Sequence, residues 1–306
     1  MKCVDFKNSI KEPLAISLGF FDCIHKGHES LVRSAIRYAH ERALNSALLT
    51  FSKDPNVFFN KDKQIYTVED RQKVLANLGV DFLVTAQFDN DFSALSPQQF
   101  FDALTTRFNI KAIFIGADYT FGARAMGNAD TLKAYCAQCG IKLVIVPFEN
   151  VAGEKLATRN LKSLVKNGEV STLNDYLSEP YFMDGIVLHE RHAGTSIGFP
   201  TANIKQNADR LPLANGIYAT ICNVDCKKYI AMTNVGSKPT FGDNSASVET
   251  YIIDFSGDVY GKQIQVQFIQ KMREIVHFSS KDELVEQLQQ DEARARKILQ
   301  DCKYLK

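Results

Sequence analysis

The sequence predicts a two-domain α/β chain: a parallel sheet wrapped by helices, then a small antiparallel barrel or sandwich and a long closing helix. Three observations predict it. The 306 residues exceed one typical hydrophobic core. The first half alternates short continuous apolar runs with amphipathic stretches, the pattern of buried parallel strands covered on both faces. From about residue 180 strand-like runs follow one another with only turn residues between them. We place the boundary near Ser178-Glu179-Pro180, giving domains over 1–178 and 179–306.

Leu14 to Phe20 reads as a buried strand, and Glu29 to Ala39 has the apolar spacing of an amphipathic helix. Strands follow over 45–51 and 80–84, with a helix over 67–78 between them. Ser96-Pro97 gives the next helix an N-cap and a proline at its first position. Strands over 111–116 and 141–147 enclose a helix over 130–139. The residues from 156 to 177 form a polar helical stretch. Beyond it, 182–189, 216–224, 228–235, 248–255 and 263–272 are strand-like, separated by Asn215-Gly216, Pro239 with Gly242, and Ser256-Gly257-Asp258. Ser280-Lys281-Asp282-Glu283 is a capping-box pattern opening a helix to about Leu299.

The chemistry concentrates in four stretches. Gly19-Phe20-Phe21-Asp22-Cys23-Ile24-His25-Lys26-Gly27-His28 carries the first strand into its helix. It sets His25 and His28 at a helix N-terminus, where backbone N–H groups and the macrodipole favour an anion, and Gly27 leaves room for a triphosphate. Gly116-Ala117-Asp118-Tyr119-Thr120-Phe121-Gly122 leaves another strand on the same carboxyl edge, where ligands of parallel sheets collect. Gly198-Phe199-Pro200-Thr201-Ala202-Asn203 holds a hydroxyl and an amide two residues apart in a Gly/Pro frame. In extended chain both point the same way, as a clamp for Mg²⁺ and phosphate would require. In Val248-Glu249-Thr250-Tyr251-Ile252-Ile253, Glu249 shares a strand face with Tyr251 and Ile253. A carboxylate on an apolar face is either a structural pair or a general base.

The net charge of +1 gives no basic face for nucleic acid or membrane, and the N-terminus lacks the apolar core of a signal peptide. Seven scattered cysteines fit a reducing, cytoplasmic location. Cys136-x-x-Cys139 has no second Cys/His pair at metal spacing, so plain thiols are the simpler reading.

Gly19 to Asp22 with His25-x-Gly27-His28 resembles the nucleotidylyltransferase signature. The order of that motif, the glycine loop, Gly-Phe-Pro-Thr-Ala-Asn, Asn234-Val235-Gly236-x-x-Pro239-Thr240-Phe241 and Glu249-x-Tyr-x-x-Asp254-Phe255 resembles the bacterial bifunctional riboflavin kinase/FAD synthetase family over nearly the whole chain. The resemblance implies a Rossmann-like nucleotidyltransferase domain joining FMN to ATP, and a six-stranded barrel phosphorylating riboflavin. It also implies that Thr201 and Asn203 hold Mg²⁺ and ATP phosphates, that Glu249 activates the ribityl hydroxyl, and that His25 and His28 stabilise phosphates in adenylyl transfer. Riboflavin, FMN and ATP are the implied partners, with self-association of the chain left open.

Departures fall mainly in the first domain. Cys23 stands where the family has glycine, and Thr50-Phe51-Ser52-Lys53-Asp54-Pro55 lacks the family's histidine. Ala157-Thr158-Arg159-Asn160-Leu161-Lys162 replaces Ser-Ser-Thr-x-Ile-Arg, leaving Thr158 and Lys162 as the nucleotide contacts. Lysine keeps the charge of arginine without its bidentate fork. In the barrel, His189 to Thr195 keeps one glycine of a Gly-rich turn. Besides a bifunctional enzyme, these changes leave a kinase with a nucleotide-binding first domain, or a non-catalytic flavin-binding regulator.

Overall fold

The alternating apolar runs of the first half form a single six-stranded sheet in the computed structural model, which describes residues 1–52, 55–58, 63–147, 150–151, 154–155, 158–189, 197–237 and 246–305. Contacts divide the chain into two compact units, Met1–Thr158 and Arg159–Lys306.

In the first unit the strands are β1 (Lys2–Asp5), β2 (Ile10–Leu18), β3 (Asn45–Phe51), β4 (Phe82–Ala86), β5 (Phe108–Gly116) and β6 (Lys142–Val146). All pairs are parallel, in the order β1-β4-β3-β2-β5-β6. Strands β2 and β5 are buried along most of their length, as continuous apolar runs require when both faces are covered. The helices are α1 (Lys26–Glu41), α2 (Pro55–Phe58), α3 (Val68–Leu78), α4 (Asn90–Ala94), α5 (Pro97–Arg107) and α6 (Ala129–Gln138). Thr67 with Asp70 and Ser96 with Gln99 form reciprocal capping boxes, which fix where α3 and α5 begin. Strand β1 lies outside the sequence reading, because four mostly exposed residues carry no apolar run to betray it. Order along the sheet reverses at β2: the chain runs β2, β3, β4 to one side and then places β5 and β6 on the other. The carboxyl ends of β2 and β5 flank that reversal, the place where open α/β sheets bind ligands.

A short pair, β7 (Asn150–Val151) and β8 (Glu154–Lys155), precedes α7 (Thr158–Asn167) and α8 (Val170–Tyr176). The sequence reading puts these two helices with the first domain, whereas from Arg159 onward their contacts fall in the second unit. Asn174 Nδ2, for example, donates to Phe268 O at 2.8 Å, and Asn174 Oδ1 accepts from Tyr181 N at 2.8 Å.

The second unit is an antiparallel barrel of β9 (Phe182–Ile186), β10 (Thr201–Lys205), β11 (Gly216–Val224), β12 (Lys227–Ser237), β13 (Ala246–Ile252) and β14 (Gln263–Arg273), ordered β10-β13-β12-β11-β14-β9. Leu188 N donates to Asn203 O at 2.8 Å and draws the two edge strands together. Gly185 makes the approach feasible, since a Cβ there would stand 2.7 Å from Ile204 Cβ. Inside, Thr220, Thr233 and Thr250 form a buried hydroxyl row at 2.8 and 3.0 Å. Alternate residues face outward, and Ala219, Ile221 and Met232 pack there with Ala295 and Leu299 of α9 (Lys281–Leu299). Two ion pairs hold that helix. Arg273 forks onto the buried Asp291, and Arg296 Nη1 and Nη2 each reach Asp254 at 2.7 Å.

Candidate functional sites

Each unit carries its own site. In the first, β2 ends at Leu18 and the chain turns through Phe21, at φ 54°, into α1. His25 is the N-cap of α1, and its Nδ1 accepts the His28 backbone N–H at 3.1 Å. That bond leaves the proton of neutral His25 on Nε2. His28 Nδ1 lies 2.6 Å from Cys23 O, and a carbonyl only accepts, so Nδ1 carries the proton of neutral His28. The two rings stack with centroids 3.6 Å apart and planes 18° apart. Burial, reinforced by the neighbouring His28, pushes the His25 pKa down to about 2, and burial lowers His28 to about 4. The pair is therefore neutral at physiological pH. Gly27 sits tight against it, for a Cβ there would stand 3.2 Å from the His25 ring.

Gly19, His25, Gly27 and His28 line a cavity of about 730 Å³ together with Asp118, Tyr119, Arg124 and Thr158. Phe21, Phe51 and Phe121 make much of its wall apolar. So the histidine turn, the glycine loop and Thr158 meet. Asp22 stands apart: it is buried, and its carboxylate accepts from Ile65 N at 2.7 Å. Lys162 is also buried, on α7 in the second unit. The substitution at Cys23 loses little here, because the contact to His28 uses its carbonyl, which every residue supplies. Lys53, Asp54 and Ala157 lie outside the described residues.

A residue with no sequence signal supports this turn. Arg71 on α3 is fully buried and donates to Phe20 O at 3.1 Å, Phe51 O at 2.9 Å and Thr50 Oγ1 at 2.7 Å. Thr50 Oγ1 in turn donates to Phe20 O. One guanidinium thus gathers the backbone where β2 and β3 end, using its planar fork.

In the second unit, β10, β13 and β12 are neighbours, and Asn203, Glu249 and Asn234 stand directly opposite one another across them. Their side chains share a sheet face with Thr201 and Tyr251. Thr201, Asn234 and Glu249 open into a groove of about 460 Å³, whose other wall is Ile275, Val276 and Phe278 with Leu284 and Leu288 of α9. Glu249 is half-buried and accepts Ser247 Oγ at 3.1 Å. Asn203 Oδ1 and Asn234 Oδ1 are both buried and accept no hydrogen bond from the described residues. Gly198, at φ 86°, and Pro200 are exposed and turn the chain into β10, while Phe199 between them packs on Tyr251 with centroids 5.0 Å apart. Residues 190–196 and 238–245, which include Pro239 and Thr240, lie outside the described residues. The sequence reading missed Asn234, although the Asn-Val-Gly motif contains it, and missed the helical wall of the groove.

Residues 7–160 match the family model described as FAD synthetase, and residues 177–299 match the one described as riboflavin kinase. The chain is 33% identical over 286 residues to the bifunctional riboflavin kinase/FMN adenylyltransferase of Listeria monocytogenes, covering 92% of this chain and 91% of that protein. It is 32% identical over 302 residues to the protein of the same description from Bacillus subtilis, covering 94% and 93%. A solved Streptococcus pneumoniae structure described as a macrolide-efflux protein superposes with a TM-score of 0.86 at 30% identity, over 96% of this chain and 98% of that one. Among the described residues, no helix is long and apolar enough to cross a membrane.

Proposed function

The chain belongs to the bifunctional riboflavin kinase/FMN adenylyltransferase family, and from that premise we propose how its residues divide the two reactions. The second unit phosphorylates riboflavin to FMN with ATP, and the first joins FMN to the adenylyl group of ATP to give FAD.

The kinase acts on a neutral hydroxyl, so it needs a base. Glu249, half-buried between two amides in an apolar groove, supports that role and is the observation on which the assignment rests. It takes the proton of the terminal ribityl hydroxyl as that oxygen bonds to the γ-phosphorus and the bond to the departing ADP oxygen breaks. The oxygen donors fit magnesium: Asn203 Oδ1 is buried and receives no donor from the described residues, and Thr201 sets its hydroxyl two residues away on the same face. Thr201 and Asn203 would hold the ion, which when bound neutralises charge on the ATP phosphates.

Adenylyl transfer starts from a phosphate that is already a nucleophile. Its oxygen attacks the α-phosphorus of ATP and pyrophosphate leaves, so positioning and charge stabilisation suffice. His25 offers its Nε2–H to a phosphate oxygen. His28 offers an Nε2 lone pair in the ligand-free site, and a bound phosphate raises its proton affinity and turns that atom into a donor. Asp118 and Thr158 contribute further polar groups to this cavity.

We keep the domain line after Ser178 as a proposal; the riboflavin kinase match begins at residue 177, while the contacts place residues from Arg159 onward in the second unit. Seven free cysteines support a reducing, cytoplasmic setting.

The test follows flavins by chromatography with ATP and Mg²⁺. The intact chain should convert riboflavin to FMN and FAD. Glu249→Gln should lose 10²- to 10⁴-fold in FMN formation while still converting supplied FMN to FAD. Near-full kinase rate in that variant refutes Glu249 as the base.

A further inference from the structure

Asn234 lies across from Glu249 on the side away from Asn203. Directly opposed residues on neighbouring strands hold their Cβ atoms about 4.5–5.5 Å apart. Whatever hydroxyl reaches the carboxylate therefore brings its near neighbours to the amide. Asn234 Oδ1 is buried and has no hydrogen-bond partner among the described residues, and leaving such an acceptor unsatisfied is unfavourable. On the side away from Glu249 its neighbours include isoleucines. The point above Gly236 that has Asn234 Oδ1 at 3.8 Å has Ile275 Cδ1 at 3.3 Å, and Ile217 stands opposite Asn234 on β11. A ligand entering the groove, which Asn234 lines, supplies the donor that this oxygen lacks.

We infer that Asn234 is a specificity-determining residue of the kinase site, hydrogen-bonding the ribityl 4′-hydroxyl, the neighbour of the hydroxyl that is phosphorylated. The inference rests on the reading of Glu249 as the base. A hydroxyl donates and accepts, so it satisfies the amide whichever way the amide is turned. A metal ion is the poorer occupant, because Asn234 is separated from the Thr201 and Asn203 oxygens by the Glu249 strand and is flanked by isoleucines. The amide thereby registers the polyol so that one oxygen, and not the next, meets the carboxylate.

The experiment pairs residue and hydroxyl in the full-length chain. Kinase kinetics are measured for riboflavin and 4′-deoxyriboflavin with the natural chain, Asn234→Ala and Asn234→Ser. The natural chain should lose about 10- to 100-fold in kcat/KM when the 4′-hydroxyl is absent. Asn234→Ala should lose a similar factor with riboflavin, keep its KM for ATP, and lose nothing further with the deoxy substrate, since partners removed together couple fully. Asn234→Ser, which keeps an acceptor, should recover part of the loss. The inference is overturned if the natural chain treats both flavins alike, if the two losses multiply, or if Asn234→Ala changes the ATP and Mg²⁺ dependence alone. The two-flavin comparison needs no variant, so a folding failure cannot shield the inference. Should Glu249→Gln retain its rate, the base assignment fails while the flavin comparison still reports on Asn234.

Discussion

The histidine turn takes its main polar groups from ten consecutive residues at one sheet edge, whereas the barrel groove draws Thr201, Asn234, Glu249 and the face of α9 from across the second unit. The first site is neutral at its heart, with two stacked imidazoles held off protonation by burial. The second has a carboxylate at its heart, flanked by amides. On the proposed assignments, the contrast follows the nucleophile. A phosphate arrives charged and asks for donors, while an alcohol arrives neutral and asks for a base. Local assembly suits the first task because a helix terminus supplies donors by itself. A base with a register-setting neighbour needs several strands in fixed alignment.

Three changes test that contrast, the largest first. Asp291→Ala leaves Arg273 beside the groove without its buried partner, and breaking such a pair costs about 3–5 kcal/mol. We expect a lower unfolding midpoint for the second unit and a raised KM for riboflavin, with FMN adenylylation kept; equal loss of both activities would erase the distinction between assembled and local sites. His28→Ala should reduce adenylyl transfer about 100-fold, roughly one lost donor to a developing charge, and leave riboflavin phosphorylation intact. Parallel assays of the two reactions decide it, and undiminished FAD formation refutes the role of His28.

The smallest effect is one of pH. Both histidines have folded pKa values below the ordinary 6.5, at about 2 and about 4, so between pH 6.5 and 4 the unfolded chain binds more protons than the folded one. Their contribution is complete above pH 6.5 and is lost as pH falls through that window, at most about 1.4 kcal/mol per histidine per pH unit. Thermal unfolding of the chain and of a His25→Asn, His28→Asn variant should converge as the solution is acidified. A gap that stays constant from pH 7 to 4 contradicts the buried neutral pair.

Much of this contrast is legible in the residues. Continuous apolar runs announce β2, β3 and β5, Thr67 and Ser96 announce α3 and α5, and period two along 248–252 puts Glu249 and Tyr251 on one face. The same period does not reveal that β13 ends at Ile252 and that Asp254 turns at φ 57° to meet Arg296. Asn234 escapes because register between β12 and β13 is set by long-range pairing, which no local pattern encodes. Arg71 escapes for a related reason: its four acceptors become neighbours only when α3 packs across the ends of β2 and β3. Asp22 shows the reverse case, a motif residue that is buried and accepts the Ile65 backbone N–H, a contact no local pattern announces.

Asn203 does two jobs with two parts of itself. Its carbonyl takes the Leu188 N–H that fastens the edges of the barrel, and its side chain faces the same way as Thr201 beside Glu249. On the proposed assignment, the buckle of the hoop is thus also one of the residues that would hold magnesium. If Asn203 serves as proposed, opening of the seam at this edge is expected to disturb the kinase site as well as the barrel.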